Sequence, residues 1–180
     1  MLQIKISGKE AWDEKSEQFV SIPDTVLSLE HSLISISKWE AKWHVPFLSK
    51  DKKTPEQIID YIKCMTVTPS VKPEVYNLLN RTHIEAVMDY IDDPMTASTI
   101  KHFGGTKRSR EIITSELIYY WMVSLQIPFE CQKWHVNRLM MLIQICNEKN
   151  RPEKKMSKRN TMQQNAALNA ARRQRMHSKG

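Results

Sequence analysis

Apolar and polar residues alternate along LQIKI (Leu2–Ile6) and again along EQFVSI (17–22), a period of two that predicts strands. SGKEAWDEKSE lies between them as a glycine-containing loop, so the two segments are expected to pair as a two-stranded ribbon. A lone ribbon is marginal in water and must lean on other elements. Pro23-Asp24 predicts the end of the second strand, with Asp24 as the N-cap of a helix. Over residues 25–43 the period lengthens. Val26, Leu29, Leu33, Ile36, Trp39 and Trp43 then fall on one helical stripe, although SLISIS within this segment also alternates.

After a loop, VPFLSKDKK, the segment TPEQIIDYIKCM carries the clearest local signal in the chain. Thr54 is placed to cap a helix, Pro55 suits its first position, and Gln57 completes a reciprocal capping box. Ile58, Ile59, Ile62 and Met65 line one side of that helix. PEVYNLLNRTHIEAVMDYIDD predicts two short helices or one bent helix ending at Pro94, and HFGGTKRSRE a turn or hairpin around Gly104-Gly105. Residues 115–146, SELIYYWMVSLQIPFECQKWHVNRLMMLIQIC, are unusually apolar, and Pro128 divides them into helices near 114–126 and 129–147. The first is apolar nearly all round, which predicts burial on most sides. The second carries a stripe of His135, Leu139, Leu142, Ile143 and Cys146. The run from Leu117 is broken by Gln126, Pro128 and Glu130, well short of the ~20 residues that a spanning helix needs. No membrane role is expected.

Composition adds one decisive asymmetry. The chain has 180 residues, 41% hydrophobic and 26% charged, the ordinary range for a soluble globular protein. Residues 1–148 carry 17 Lys+Arg against 19 acids, whereas residues 149–180 carry ten Lys+Arg against the single acid Glu153. A nearly neutral body is thus followed by a cationic arm without aromatic residues. Its NRPEKKMSKRN segment predicts a linker, and TMQQNAALNAARRQRM a helix with little to bury. The expected fold class is mainly α (α+β): a small helical domain over 1–148 with an N-terminal two-stranded β-ribbon, and a basic, partly helical arm over 149–180. Cys64, Cys131 and Cys146 are odd in number and widely spaced, and no signal peptide is expected. Both point to free thiols in a reducing cytosol.

The residues suggest binding more than catalysis. Metalloprotease, P-loop, nucleophile-elbow and dinucleotide-binding motifs are all absent. Cys131 and His135 stand four apart and could share a helix face as a catalytic pair or half a zinc site. No further ligands accompany them, so core packing is the favoured account and neither catalytic residue, metal nor cofactor is expected. His102–Arg108 could cradle a phosphate, but a polar hairpin tip explains it better. Trp39, Trp43 and Phe47 form an aromatic wedge that serves either as core or as partner anchors. In the arm, Lys154, Lys155, Lys158, Arg159, Arg172, Arg173 and Arg175 are candidate contacts for an anionic partner. Nucleic acid is one such partner, disfavoured at this level because no aromatic side chain lies among the cations to stack on bases. An acidic protein helix is the other.

The order of LSLEHSLISISKWEAKWHVPFLSK, TPEQIIDYIKCM, SELIYYWMVSLQIPFECQKWH and MSKRNTMQQNAALNAARRQR resembles that of tail assembly chaperones of long-tailed bacteriophages. These segments cover about half of the chain and contain no chemical signature. The resemblance implies a mostly helical, non-enzymatic protein of the infected host's cytoplasm, absent from the finished virion. It implies as partners the long helical tape-measure protein, kept soluble during assembly, and the tail tube protein, with homo-oligomers left open. Relatives commonly exist also in a longer frameshifted form. No binding residues carry over position by position.

Overall fold

The computed structural model describes residues 1–13, 18–99, 112–150 and 158–177. The chain is mainly α with an N-terminal antiparallel ribbon, and divides into two compact units, Met1–Glu148 and Lys149–Gly180.

The ribbon is built from four strands, β1 (Leu2–Ile6), β2 (Lys9–Asp13), β3 (Gln18–Ile22) and β4 (Thr25–Leu29). Its pairing differs from the expectation. Leu2–Ile6 pairs with Thr25–Leu29, while Gln18–Ile22 pairs with Lys9–Asp13. One register runs through both halves, from Leu2 opposite Leu29 to Asp13 opposite Gln18, so the four strands make a single long hairpin. That register sets Gly8 opposite Pro23, where the ladder is interrupted, and there Gly8 N donates to Asp24 Oδ1 at 2.6 Å. Pro23 has no N–H to give the ladder. A Cβ on Gly8 would come within 2.2 Å of the Ile22 carbonyl oxygen, so the chains can approach here only with glycine. Asp24 therefore braces this joint and does not cap a helix.

The helix expected from residue 25 begins later. TVLSL alternates and all but Ser28 are β-branched or apolar, so it extends the ribbon, placing Leu27 and Leu29 in the core and leaving Val26 exposed. Ser32 is the true N-cap, its side chain accepting from Ser35 N, and α1 runs over Leu33–Trp43. The outer edge of β4 is covered by the chain that follows α2 (Pro55–Met65): Glu30 N donates to Met65 O at 2.9 Å and Val67 N to Ser28 O at 2.8 Å. The capping box of α2 is present as the sequence predicts. A 3₁₀ turn (Pro73–Leu78) and α3 (Arg81–Asp92), capped by Asn80, resolve the "two short helices" alternative. The helical hairpin follows as α4 (Ser115–Ser124), a 3₁₀ turn (Phe129–Lys133) and α5 (Val136–Lys149).

Two hydrophobic clusters fill the first unit. Ribbon, α1, α2 and α3 enclose Ile6, Leu27, Ile36, Trp39, Ile62 and Met65, all nearly or fully buried. Leu33, Ile118, Met122, Ile127, Leu139 and Ile143 make the second, between α1, α4 and α5. Polar bonds stitch the clusters together. Val136 N donates to His31 O at 2.8 Å, and Asn137 Nδ2 donates to both Ile91 O and Asp93 O. Most important is Glu40, 7% exposed, whose two carboxylate oxygens each accept a backbone N–H, from Phe47 and from Ser115, at 2.7 Å. It pins the first turn of α4, where a negative charge also suits the helix dipole.

The second unit holds α6 (Lys158–Met176), whose described side chains are exposed all round. Both clusters lie wholly within residues 1–148. Deleting 149–180 is therefore expected to leave the melting temperature of the remainder within about 2 °C of the full chain. A differential scanning fluorimetry shift several times larger would show that the arm supports the fold.

Candidate functional site

The aromatic wedge folds into the core. Trp39 is fully buried and its indole Nε1 donates to Gln57 O at 2.9 Å; Phe47, 7% exposed, meets the Trp39 ring edge-to-face at 5.2 Å and stacks on Tyr61 at 3.8 Å. To grip a partner, Trp39 and Phe47 would have to leave the interior. Trp43 is half-buried at its margin, its Nε1 donating to Asp60 Oδ2 at 2.9 Å beside the Lys42–Asp60 ion pair. Lys53 covers this cluster with its ammonium 4.6 Å from the Phe47 ring centre. Burial lowers its pKa, partly countered by Asp51.

The Cys131–His135 pair does not share a helix. Past Pro128 the backbone winds into a 3₁₀ turn that ends at Trp134, and α5 starts only at Val136. Cys131 belongs to the second cluster, where burial first and then Glu130 push its thiol pKa up. That environment disfavours the nucleophilic thiolate. His135 instead faces His31, with ring centres 4.9 Å apart, and Tyr90 at the same distance. Its Nε2 donates to Tyr90 O at 2.9 Å and its Nδ1 accepts from Asn137 N at 3.3 Å. His31, 1% exposed, sits with Nδ1 at 2.5 Å from Tyr61 Oη. Burial holds the Tyr61 pKa well above its ordinary value, so its hydroxyl keeps the proton and donates to the imidazole. The sequence put His135 on the apolar stripe of the second helix but gave no signal for its meeting with His31, because both stand just ahead of a helix and come together only in three dimensions. Among the described residues, no group of three or more His, Cys, Asp or Glu could hold a metal ion. The His102–Arg108 tip lies outside the described residues.

What remains in water is more informative. Helix α4 buries Ser115, Ile118 and Met122, but Tyr120 is 65% exposed and Val123 61%, with Leu117 half-buried beside them. Phe129, 53% exposed, continues this surface across the turn, its ring 6.4 Å from Tyr119. Burial on most sides was the expectation from the all-round apolar composition of α4. Among the described residues only Ser115, Ile118 and Met122 of α4 are buried. No described helix is long and apolar enough to cross a membrane. At the far end of the chain, Lys158 opens α6, and Arg159, Arg172, Arg173 and Arg175 are exposed on it; Lys154 and Lys155 fall outside the described residues.

Comparison of the chain with protein-family models, with curated proteins and with solved structures finds no match in any of the three.

Proposed function

We propose that this protein is a tail assembly chaperone of a long-tailed bacteriophage, a non-enzymatic binder that keeps a tape-measure protein soluble and assists tail tube assembly in the host cytoplasm. The observation that carries the reading is the exposed side of α4, where Tyr120 and Val123 lie in water with Phe129 following across the turn. A long amphipathic helix is the kind of partner such a side accommodates, apolar face to apolar face. Exposed aromatics are also where binding energy concentrates in protein interfaces. The segment order noted above supplies the link to phage tails.

The test is co-expression of the chain with the tape-measure and tail tube proteins of the same phage, followed by affinity capture and separation of virions. Recovery of a soluble tape-measure complex, lost in the Tyr120→Asp/Val123→Asp variant while its melting temperature holds within about 2 °C, is the expected result. Each exposed position tolerates charge in the free protein, so lost capture reports the interface and not the fold. Capture that the double variant leaves intact removes α4 from the reading. A tape-measure protein that stays insoluble with the wild-type chain present removes the chaperone itself.

A further inference from the structure

We infer that α6 is a duplex-DNA-binding helix, shaped to lie in a major groove with its two ends on the flanking phosphates; this does not rest on the chaperone reading. Between residues 158 and 177 there is no Asp or Glu, so the charge carried by the helix itself is of one sign. The cations are not spread along it. Lys158 and Arg159 stand at one end, Arg172, Arg173 and Arg175 at the other, with twelve uncharged residues between.

The spacing then sorts the side chains. Arg159, Met162, Ala166, Asn169 and Arg173 succeed one another at intervals of three and four, which sets them on a single helical face, and Asn165 flanks that stripe. A helix rises about 1.5 Å per residue, so Arg159 and Arg172 are about 20 Å apart along the axis. The major groove of B-DNA is about 12 Å wide, and a helix laid across it would bring both ends to the phosphate walls. The middle of the stripe then meets base edges with the residue types that suit them. A carboxamide can bond adenine N6 and N7 together, and alanine packs on the thymine methyl.

Three further points favour this ligand over other anions. Basic residues at the N-terminus oppose the helix dipole, and a phosphate placed there reverses that penalty. Single strands are held chiefly by stacking on aromatic rings, and α6 has none. An acidic protein helix would engage the cations but leave the Asn–Ala stripe unused. The absence of aromatics, which in the sequence alone counted against nucleic acid generally, excludes only the single-stranded kind.

Fluorescence anisotropy of the full-length protein with a labelled 20-bp duplex tests the inference, read alongside helical circular dichroism. With about four phosphates neutralised, raising salt from 50 to 200 mM is expected to weaken binding about 150-fold. The Arg172→Ala/Arg173→Ala variant is expected to lower the log–log salt slope by about two. Ellipticity at 222 nm should deepen on adding duplex. Asn165→Ala/Asn169→Ala is expected to keep the salt slope while flattening preference among duplexes of different A·T content. Tighter binding to the matching single strand or to polyglutamate overturns the inference, as does an unchanged slope in the arginine variant. So does an asparagine variant with wild-type preference, which would leave a charged tail and no reading face.

Discussion

Glu40→Ala is expected to lower the melting temperature of the body by about 10 °C. The wild-type carboxylate serves two buried backbone N–H groups, of Phe47 and Ser115, and no side chain at alanine can reach either. Charge-assisted hydrogen bonds contribute ~1.5–3 kcal/mol each, and the orphaned donors add to the penalty. Releasing a carboxylate from a nearly buried position offsets part of this, leaving about 3 kcal/mol. For a unit of this size that corresponds to roughly 3 °C per kcal/mol. Glu40→Gln separates shape from charge. One oxygen remains to accept, but the amide nitrogen must then face an N–H, so about half of the loss should persist. Thermal denaturation followed at 222 nm reads both variants. A shift below about 3 °C for Glu40→Ala would mean that the start of α4 is held by packing alone.

Acid should loosen the same body from about pH 6.5 downward. Burial first, and then the neighbouring His135, lower the His31 pKa from 6.5 to about 3. The folded state therefore keeps this imidazole neutral, while the unfolded chain takes up a proton below pH 6.5. The stabilisation is complete above that value and drains away as pH falls towards 3, by up to about 1.4 kcal/mol per pH unit. Between pH 6.5 and 5.0 the loss is expected to be about 2 kcal/mol in urea denaturation. His31→Asn, although less stable at neutral pH, should show less than half of that dependence. Asp60 acts in a lower window. Burial raises its pKa, but the bonds from Lys42 and Trp43 outweigh this and hold it below 3.8, so its contribution is lost only under stronger acid. An equal slope in the wild type and in His31→Asn would assign the acid sensitivity elsewhere.

Local signals were legible where local chemistry decides the outcome. Thr54, Pro55 and Gln57 specify the start of α2 among themselves, with every partner within three residues, and the structure reproduces their capping box. The apolar stripe carried Trp39 but left core and partner anchor both open, and its full burial decides for the core. The hairpin register was not. Pro23-Asp24 looks like a boundary in one dimension, and only the approach of Gly8 from sixteen residues away turns it into an internal joint. Glu40 sits between Trp39 and Ala41 in a helix with ample charge, and its partners are seven and seventy-five residues distant. The error over α4 is of another kind. Composition states how apolar a helix is, but not how many neighbours the chain supplies to cover it. The shortfall shows in the exposure of Tyr120 and Val123.

The joint at Gly8 and Pro23 also bears on how this chain can vary by descent. Since Ile4, Ile6, Leu27 and Leu29 all point inward on the near side, one extra residue in a single strand there would turn a buried row outward. Beyond the joint, residues added as opposed pairs would merely lengthen the finger by about 3.4 Å per pair. Insertions and deletions should therefore gather in the far segment past Ile22, which is itself buried, so that the reach of the finger can be retuned generation by generation.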